Sequence, residues 1–112
     1  MNTVSLMKES EFHARVDAVL TALEGVIDAA EADIDSELTA GILQLIFMNG
    51  SKIIVNRQTP NREIWVAAKS GGFHFKFDGA AWRDTRSSEQ LDVLLARVIS
   101  LQSECAVAVT LT

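Results

Sequence analysis

Residues 49–74 decide the fold of this chain, and they read Asn-Gly-Ser-Lys-Ile-Ile-Val-Asn-Arg-Gln-Thr-Pro-Asn-Arg-Glu-Ile-Trp-Val-Ala-Ala-Lys-Ser-Gly-Gly-Phe-His. The stretch contains two strand-like runs, 52–57 and 64–68. Asn49-Gly50 precedes the first run, and because both residues tolerate positive φ, the pair predicts a type I′ hairpin turn. Pro60 has no N–H to donate and therefore interrupts the ladder between the runs. The stretch predicts strands of one sheet.

The sequence on either side extends this sheet. Residues 42–48 form a further strand-like run before the turn, and Gly71-Gly72 is predicted to make the next turn. Residues 73–77 then alternate phenylalanine with histidine and lysine, which is typical of a half-buried strand with its aromatic side chains inward. A short strand around Trp82 is predicted to follow.

Helices are predicted at both ends of the sheet segment. Apolar residues at spacings of three and four predict a first helix with Ser10 as its N-cap: Phe12, Val16, Val19, Leu20, Leu23 and Ile27. Ser87 and Gln90 have the spacing of a capping box and predict the start of a second helix, whose apolar residues are Leu91, Leu94, Leu95, Val98 and Leu101. This order predicts an α+β two-layer sandwich, an antiparallel sheet with the N- and C-terminal helices packed on one face. Residues 105–111 are predicted to add a strand or to lie as a tail against the helices.

Length and composition predict one domain over residues 1–112, because 112 residues with a hydrophobic fraction of 48% can form one core and little more. No apolar run reaches the roughly 18 residues that a membrane span needs, and the N-terminus lacks the pattern of a secretory signal. We therefore expect a cytoplasmic protein that does not insert into a membrane. Cys105 is the only cysteine, so the chain cannot form an internal disulfide, and its thiol is expected to be packed and inert.

Charge is distributed unevenly along the chain. The net charge is −5, but residues 1–50 carry −7 and residues 51–112 carry +2. Nucleic-acid binders usually present basic patches, so this acidic chain is not expected to bind nucleic acid. Cations and basic protein surfaces are the expected partners.

Acidic residues of the first helix and the segment after it fall into a row. Asp17, Glu24, Asp28 and Glu31 have spacings that place them along one line of the helix, away from its apolar stripe. Asp33, Asp35 and Glu37 alternate, so they point to one side if this segment is extended. Spacing alone leaves two interpretations open, a solvated face and a surface for hard cations, which carboxylate oxygens bind weakly when no closed cage forms. His13 lies nearby and is either a solvated residue or an additional ligand.

Polar and aromatic side chains are predicted on the open face of the sheet. Alternation that buries Ile53 and Val55 sends Asn56 and Gln58 to the other face. Trp65 is exposed on that face if its neighbours are buried, and an exposed indole is a typical interface anchor. The alternative is a tryptophan covered by a loop or by neighbouring side chains. His74 shares the outward side of its own strand.

The stretch 49–74 closely resembles the central sheet of the frataxin family, and within it the bacterial frataxins. The resemblance is carried by Asn49-Gly50-Ser51-Lys52, Asn56-Arg57-Gln58, Pro60, Ile64-Trp65, Ala67 and Gly71-Gly72-Phe73-His74. It extends from about Ser10 to Leu95, which is most of the chain. An ordered set of this length is a far more specific signal than a short pattern.

The resemblance implies two functional surfaces. Frataxins bind iron on an acidic ridge, and the matching residues here, called the acidic ridge below, are Glu24, Asp28, Glu31, Asp33, Asp35 and Glu37. The ridge is expected to hold Fe2+ or Fe3+ weakly and to dock on a basic patch of the cysteine desulfurase. The matching sheet face, formed by Asn56, Gln58, Trp65 and His74, is expected to meet the iron–sulfur scaffold protein. Ala29, Ala30 and Ala32 interrupt the ridge, so we expect fewer or weaker sites than in relatives.

An accessory protein of iron–sulfur cluster assembly, rather than an enzyme, is the function that the resemblance implies. The residues themselves contain no Ser-His-Asp or Cys-His constellation and no phosphate-binding glycine loop. Whether such a protein donates iron or regulates the desulfurase stays open, and it is expected to be a monomer or to oligomerise with iron. One alternative is a weak ferroxidase with a role in iron storage, although the Glu and His cluster of a ferroxidase bundle is missing. Another is an interaction domain unrelated to iron.

Overall fold

The computed structural model describes residues 7–111 and confirms the predicted α+β sandwich. Its elements are α1 (Glu9–Ala29), β1 (Ile34–Thr39), β2 (Ile42–Phe47), β3 (Lys52–Gln58), β4 (Glu63–Ala68), β5 (Gly71–Phe77), β6 (Trp82–Asp84) and α2 (Leu91–Ser103). The six strands form one sheet in the order β1-β2-β3-β4-β5-β6, and each neighbouring pair is antiparallel. β1 is therefore an edge strand. The helices cover one face of the sheet, and the opposite face is called the open face below.

The core lies between the two helices and one face of the sheet. All six apolar residues predicted for the first helix are buried, and so are the alternate residues Leu43, Leu45, Ile53, Val55, Ile64 and Val66 of the central strands. In α2 the predicted Leu101 is exposed instead, and Ile99 takes a buried position. The alternation sends the neighbouring residues of β3 and β4 to the open face, as predicted.

Both predicted helix starts are wrong. Ser10 lies within α1, and Lys8 occupies the N-cap position, where its carbonyl accepts from the Phe12 N–H at 2.8 Å. The capping box of Ser87 does not form, because Ser88 has a positive φ of 66° that a helix cannot accommodate. The α2 helix begins only at Leu91, with Gln90 at the N-cap.

Two predicted turns also differ from the structure. The β2–β3 hairpin is not type I′, because only Gly50 of its loop residues 48–50 has a positive φ, and the Gly50 N–H donates to the Phe47 carbonyl at 2.9 Å. This is the pattern of a three-residue loop that ends in a glycine bulge. Gly71 and Gly72 belong to β5, where they pair with Ala68 and Ala67. The turn is made instead by residues 69–70.

The side-chain amide of Gln102 links both of these turns to the end of α2. Its Nε2 donates to the Ser51 hydroxyl at 3.0 Å and to the Lys52 carbonyl at 3.2 Å, while its Oε1 accepts from the Lys69 N–H at 2.9 Å. The Asn49 side-chain amide donates to the backbone carbonyl of Gln102 at 2.9 Å. The end of α2 therefore holds two hairpin ends of the sheet through one buried side chain.

The β5–β6 turn contains a carboxylate with a lowered pKa. Asp78 accepts from the backbone N–H groups of Ala81 and Ala80, both at 2.8 Å, and from the Arg83 guanidinium at 2.8 Å. These hydrogen bonds favour the charged form and lower the pKa of Asp78 to about 2. The side chain is nonetheless exposed.

Residues 105–111 lie as a tail against the core and form neither helix nor strand. Val107 is buried, and Val109 and Leu111 pack against the core. Of the two predicted alternatives, the tail is the observed one. Within residues 7–111, no helix is both long enough and apolar enough to cross a bilayer.

Candidate functional site

The acidic ridge follows the chain from the end of α1 to the edge strand β1. Asp28 is exposed in the last turn of α1, and Glu24 is half-buried one turn earlier. Glu31 is exposed too, but the prediction that it lies on the helix is wrong, because α1 ends at Ala29. Asp33 lies in the connection, while Asp35 and Glu37 alternate with inward residues on β1. The predicted extended conformation is therefore observed for Asp35 and Glu37, whereas Asp33 lies in a tight turn in which the Ile34 N–H donates to the Ala32 carbonyl at 2.9 Å. The ridge joins a helix end to a sheet edge.

Neighbouring ridge residues share surface hollows. Glu31 and Asp33 line a hollow of about 490 Å³, to which Met48 and Glu104 also contribute. Asp33 and Asp35 line a second hollow of about 220 Å³. The middle of the ridge, from Glu31 to Asp35, is thus a run of carboxylates around adjoining concave surface.

The ridge carboxylates lack cationic partners within residues 7–111. None of the six lies within 4.0 Å of a lysine, arginine or histidine nitrogen in that part of the chain. Asp17 differs, because its Oδ1 accepts from the Arg57 guanidinium at 2.6 Å. The row predicted from helical spacing therefore divides, and Asp17 is already neutralised by the sheet.

No closed metal cage is formed by the part of the chain that the structure describes. No group of three or more His, Cys, Asp or Glu side chains there is arranged to hold a metal ion. The ridge is consequently an open row of hard oxygen ligands. Such a row can attract cations electrostatically and bind them weakly, with exchange between neighbouring carboxylates.

The predicted sheet-face residues lie in cross-strand register on the open face. Asn56 of β3 is opposite Trp65 of β4, and Trp65 is opposite His74 of β5. Gln58 is one row further along, opposite Glu63. Trp65 is 38% exposed, which is the outcome expected of an indole on the open face rather than in the core.

Trp65 is held by its neighbours although it is exposed. Its ring stacks on His74 with centroids 4.3 Å apart and an interplanar angle of 8°. The indole Nε1–H donates to Oε1 of Glu63 at 2.8 Å. Glu63 is itself only 7% exposed, and its Oε2 lies 3.7 Å from Nζ of Lys76. We call Glu63, Trp65, His74 and Lys76 the aromatic cluster.

Sequence reasoning missed Glu63. The residue lies two positions before Trp65 on the same strand, so the alternation that exposes the indole also places Glu63 on the open face. That spacing could have identified it as a neighbour of the indole. Its burial could not be read from the alternation, because it depends on the side chains that cover it.

The amides of the sheet face are less open than the indole. Asn56 is half-buried, and its Oδ1 accepts from the Arg57 N–H at 2.8 Å. Gln58 is also half-buried, and its Oε1 has no hydrogen-bond partner among the described residues. These two residues flank the aromatic cluster as polar groups of the same face.

His13 is more enclosed than a fully solvated residue would be, and Cys105 is more exposed than expected. Nδ1 of His13 is 2.8 Å from the Arg57 guanidinium, and its Nε2 is 3.6 Å from Glu9. The imidazole is half-buried and forms a polar contact between α1 and the sheet.

The prediction that Cys105 is packed is wrong, because the thiol is exposed. The reason is that the chain leaves α2 at Glu104 in a left-handed conformation with φ 58°, which turns the tail outward before Val107 returns to the core.

Comparison with known proteins identifies relatives over nearly the whole chain. A family model described as a frataxin-like domain matches residues 5–105. The chain is 48% identical over 104 residues to a protein of Cupriavidus pinatubonensis named iron-sulfur cluster assembly protein CyaY, covering 89% of this chain and 94% of that protein. A protein of the same name from Burkholderia mallei is 46% identical over 105 residues, covering 91% of this chain and 97% of the relative.

The fold is similar to that of a solved structure. A frataxin from Psychromonas ingrahamii, described as a model for stability modulation within the CyaY protein family, superposes with a TM-score of 0.87 at 33% sequence identity. The superposition covers 93% of this chain and 99% of that one.

Proposed function

This chain belongs to the frataxin-like family, and from that premise we propose that it is an accessory protein of iron–sulfur cluster assembly. In this proposal it binds Fe2+ or Fe3+ weakly on the acidic ridge and docks on two partners, the cysteine desulfurase and the scaffold protein. The role in cluster assembly is supported by the names of the relatives that it matches over most of its length. One observation carries the metal-binding part, namely six carboxylates at a helix end and a sheet edge without a cationic partner among the described residues.

Iron binding at the ridge follows from the chemistry of its oxygens. Neighbouring carboxylates repel one another, and a bound cation relieves that repulsion. Ferric and ferrous iron are bound by oxygen ligands, and Glu31 and Asp33 both line one hollow of the ridge. Because the row is open on its solvent side, water completes the coordination and the bound ion exchanges readily. A loosely held ion suits a protein that passes iron on or senses its level.

The same ridge would dock on the desulfurase. A basic patch on a partner is attracted to unpaired carboxylates over a distance set by ionic strength, so the field steers association at low salt. Iron and the partner would then compete for the same charges. This competition links occupancy by metal to desulfurase binding and favours a regulatory role over simple delivery.

The open face of the sheet would dock on the scaffold protein. Trp65 provides an exposed aromatic anchor near the middle of the sheet, and Asn56, Gln58 and His74 surround it with polar groups. An aromatic anchor with a polar rim is the usual composition of an interface hot spot. The ridge lies at the β1 edge while this anchor lies on β4, so one small protein can engage two partners.

Anaerobic titration with Fe2+, followed by amide NMR, tests the metal site. We expect the first shifts and line broadening at residues 24–37, with the largest changes at Glu31, Asp33 and Asp35. The triple variant Glu31→Gln, Asp33→Asn, Asp35→Asn should lose most of this response. A control triple variant, Glu9→Gln, Glu11→Gln, Asp92→Asn, has the same change in net charge outside the ridge and should keep it.

Two outcomes would contradict the proposal. Shifts that begin at His74 or spread evenly over the surface would remove the ridge from the metal site. Catalytic consumption of oxygen on addition of Fe2+ in air would favour the ferroxidase alternative.

A further inference from the structure

Glu63 is a buried carboxylate on the open face that neither proposed docking surface includes. Glu63 is 7% exposed although it lies on the solvent side of the sheet. A carboxylate is costly to bury unless hydrogen bonds and opposite charges compensate it. Its neighbours therefore indicate what its position accomplishes.

The two oxygens of Glu63 have separate contacts. Oε1 accepts from the Trp65 indole N–H at 2.8 Å and lies 3.9 Å from Nδ1 of His74. Oε2 lies 3.7 Å from Nζ of Lys76. The lysine therefore balances the charge while the other oxygen is left to hold the indole. One side chain serves both purposes without sharing an oxygen.

Trp65 is consequently restrained in two directions. The hydrogen bond to Glu63 fixes the in-plane orientation of the ring, and the stack on His74, at 4.3 Å and 8°, fixes its plane. An exposed aromatic side chain normally loses rotamer freedom when a partner binds, and this loss weakens binding. Here much of that freedom is already lost in the free protein.

The contacts also define what Trp65 offers to a partner. Its only polar group, the N–H, is used within the chain, and one face of the ring is covered by His74. The exposed remainder is apolar. A partner can therefore bury this ring without supplying a hydrogen-bond acceptor, whereas an indole with a free N–H would demand one.

We propose that Glu63 is a positioning residue that fixes Trp65 for docking, and that the partner receives the indole in an apolar depression without an acceptor for its N–H. This inference rests on the proposed function insofar as the partner is the scaffold protein. It assigns no direct contact with the partner to Glu63. The acceptor oxygen of Glu63, more than its charge, is the part that positions the ring.

Three variants separate the acceptor from the charge. Glu63→Gln keeps an oxygen that can accept from the indole and removes the charge, while Glu63→Ala removes both. Glu89→Ala serves as the matched control, since it deletes a glutamate paired with Arg97 far from Trp65 in the sequence. The free proteins are compared by ¹⁵N relaxation and hydrogen exchange of the Trp65 indole N–H, with that signal assigned through Trp65→Phe.

We expect the variants to fall in the same order in the motion of the Trp65 ring and in the affinity for the scaffold protein. Glu63→Ala should increase ring motion, speed exchange of the indole N–H and weaken scaffold binding by roughly tenfold, the factor expected when about one restrained side chain is freed. Glu63→Gln and Glu89→Ala should remain within about twofold of the wild type. A general loss of structure would move all amide signals, whereas loss of positioning moves the indole signal and its neighbours.

Failure of the inference and failure of the proposed function give different results. If the wild type does not bind the scaffold protein, the proposed function fails, and the relaxation data on the free protein still test whether Glu63 restrains Trp65. If Glu63→Ala leaves ring motion and affinity unchanged, the inference is overturned while the docking surface stands. Equal losses in Glu63→Gln and Glu63→Ala would show that charge, not the acceptor oxygen, is what matters.

Discussion

The acidic ridge and the aromatic cluster use the same kind of side chain in opposite ways. On the ridge, Glu31 and its neighbours are exposed and have no cationic partner among the described residues. In the aromatic cluster, Glu63 is buried and its two oxygens are engaged by Trp65 and Lys76. A carboxylate without partners retains its attraction for something outside the molecule. A carboxylate with its partners inside the molecule instead determines the shape of a neighbour.

Charge reversal should separate the two regions most strongly. Glu63→Lys would bury a cation beside Lys76 and remove the indole acceptor, so we expect a loss of about 3 kcal/mol in the free energy of unfolding. The matched Glu31→Lys should cost nothing measurable, because it relieves repulsion on an exposed surface. Urea unfolding gives the free energy of unfolding of each variant. Equal losses in the two variants would contradict the proposed difference between the two regions.

Reversing several ridge charges should affect association rather than folding. For Glu31→Lys, Asp33→Lys, Asp35→Lys we expect desulfurase binding at low salt to weaken by roughly 100-fold, mainly through a slower association rate. The effect should shrink as salt is added, because exposed charges are screened. Binding kinetics measured over a range of ionic strength test this. A loss that persists at high salt would mean that the ridge makes short, desolvated contacts instead.

Truncating the indole should affect the other partner. Trp65→Ala is expected to weaken scaffold binding by roughly 2 kcal/mol, in the range of an interface hot spot, with little dependence on salt. The fold should be nearly unchanged, because the side chain lies outside the core. Thermal unfolding serves as the control. A large drop in melting temperature would make Trp65 a structural residue and end the comparison with the ridge.

Neutralising the ridge should slightly stabilise the protein. Asp33→Asn combined with Asp35→Asn removes like-charge repulsion worth a few tenths of a kcal/mol, a gain that should disappear in high salt. Urea unfolding at low and high ionic strength would detect it. Destabilisation instead of this gain would indicate internal partners for these acids.

Asp78 provides the smallest effect and a third kind of carboxylate, exposed yet fully engaged. Its pKa is lowered from 3.8 to about 2, first by the Ala81 and Ala80 N–H groups and then by Arg83. Because the folded-state pKa is depressed, its contribution to stability is present above the unfolded value and is lost as the pH falls through about 2. In urea unfolding, Asp78→Asn should therefore be slightly less stable than the wild type at about pH 5, and the difference should shrink as the pH falls and disappear below about pH 2.

Much of the architecture could be predicted from periodicity, because burial of one face imposes spacings of three and four on α1 and alternation on β3–β5. The helix starts could not, since neither N-cap residue, Lys8 nor Gln90, makes a side-chain cap and a positive φ at Ser88 excludes the earlier start of α2. The turn at residues 69–70 likewise depends on Gln102, which is distant in sequence.

The candidate site also has features that the sequence predicts and features that it does not. Ridge residues are close in sequence, so spacing predicts that they lie along one stretch of surface, but it does not predict that α1 ends before Glu31. The pairing of Asp17 with Arg57 removes one member of that row and joins residues 40 positions apart, which spacing cannot predict. The contacts of Glu63 are made across strands as well as along one, and they depend on side-chain orientation.

Exposure of Cys105 makes the ridge accessible to chemical labelling. The thiol belongs to the only cysteine of the sequence and lines the same hollow as Glu31 and Asp33. A maleimide fluorophore attached there would be placed at the ridge without any mutation. Quenching of its emission by a paramagnetic ion would then report ridge occupancy in real time, including during complex formation.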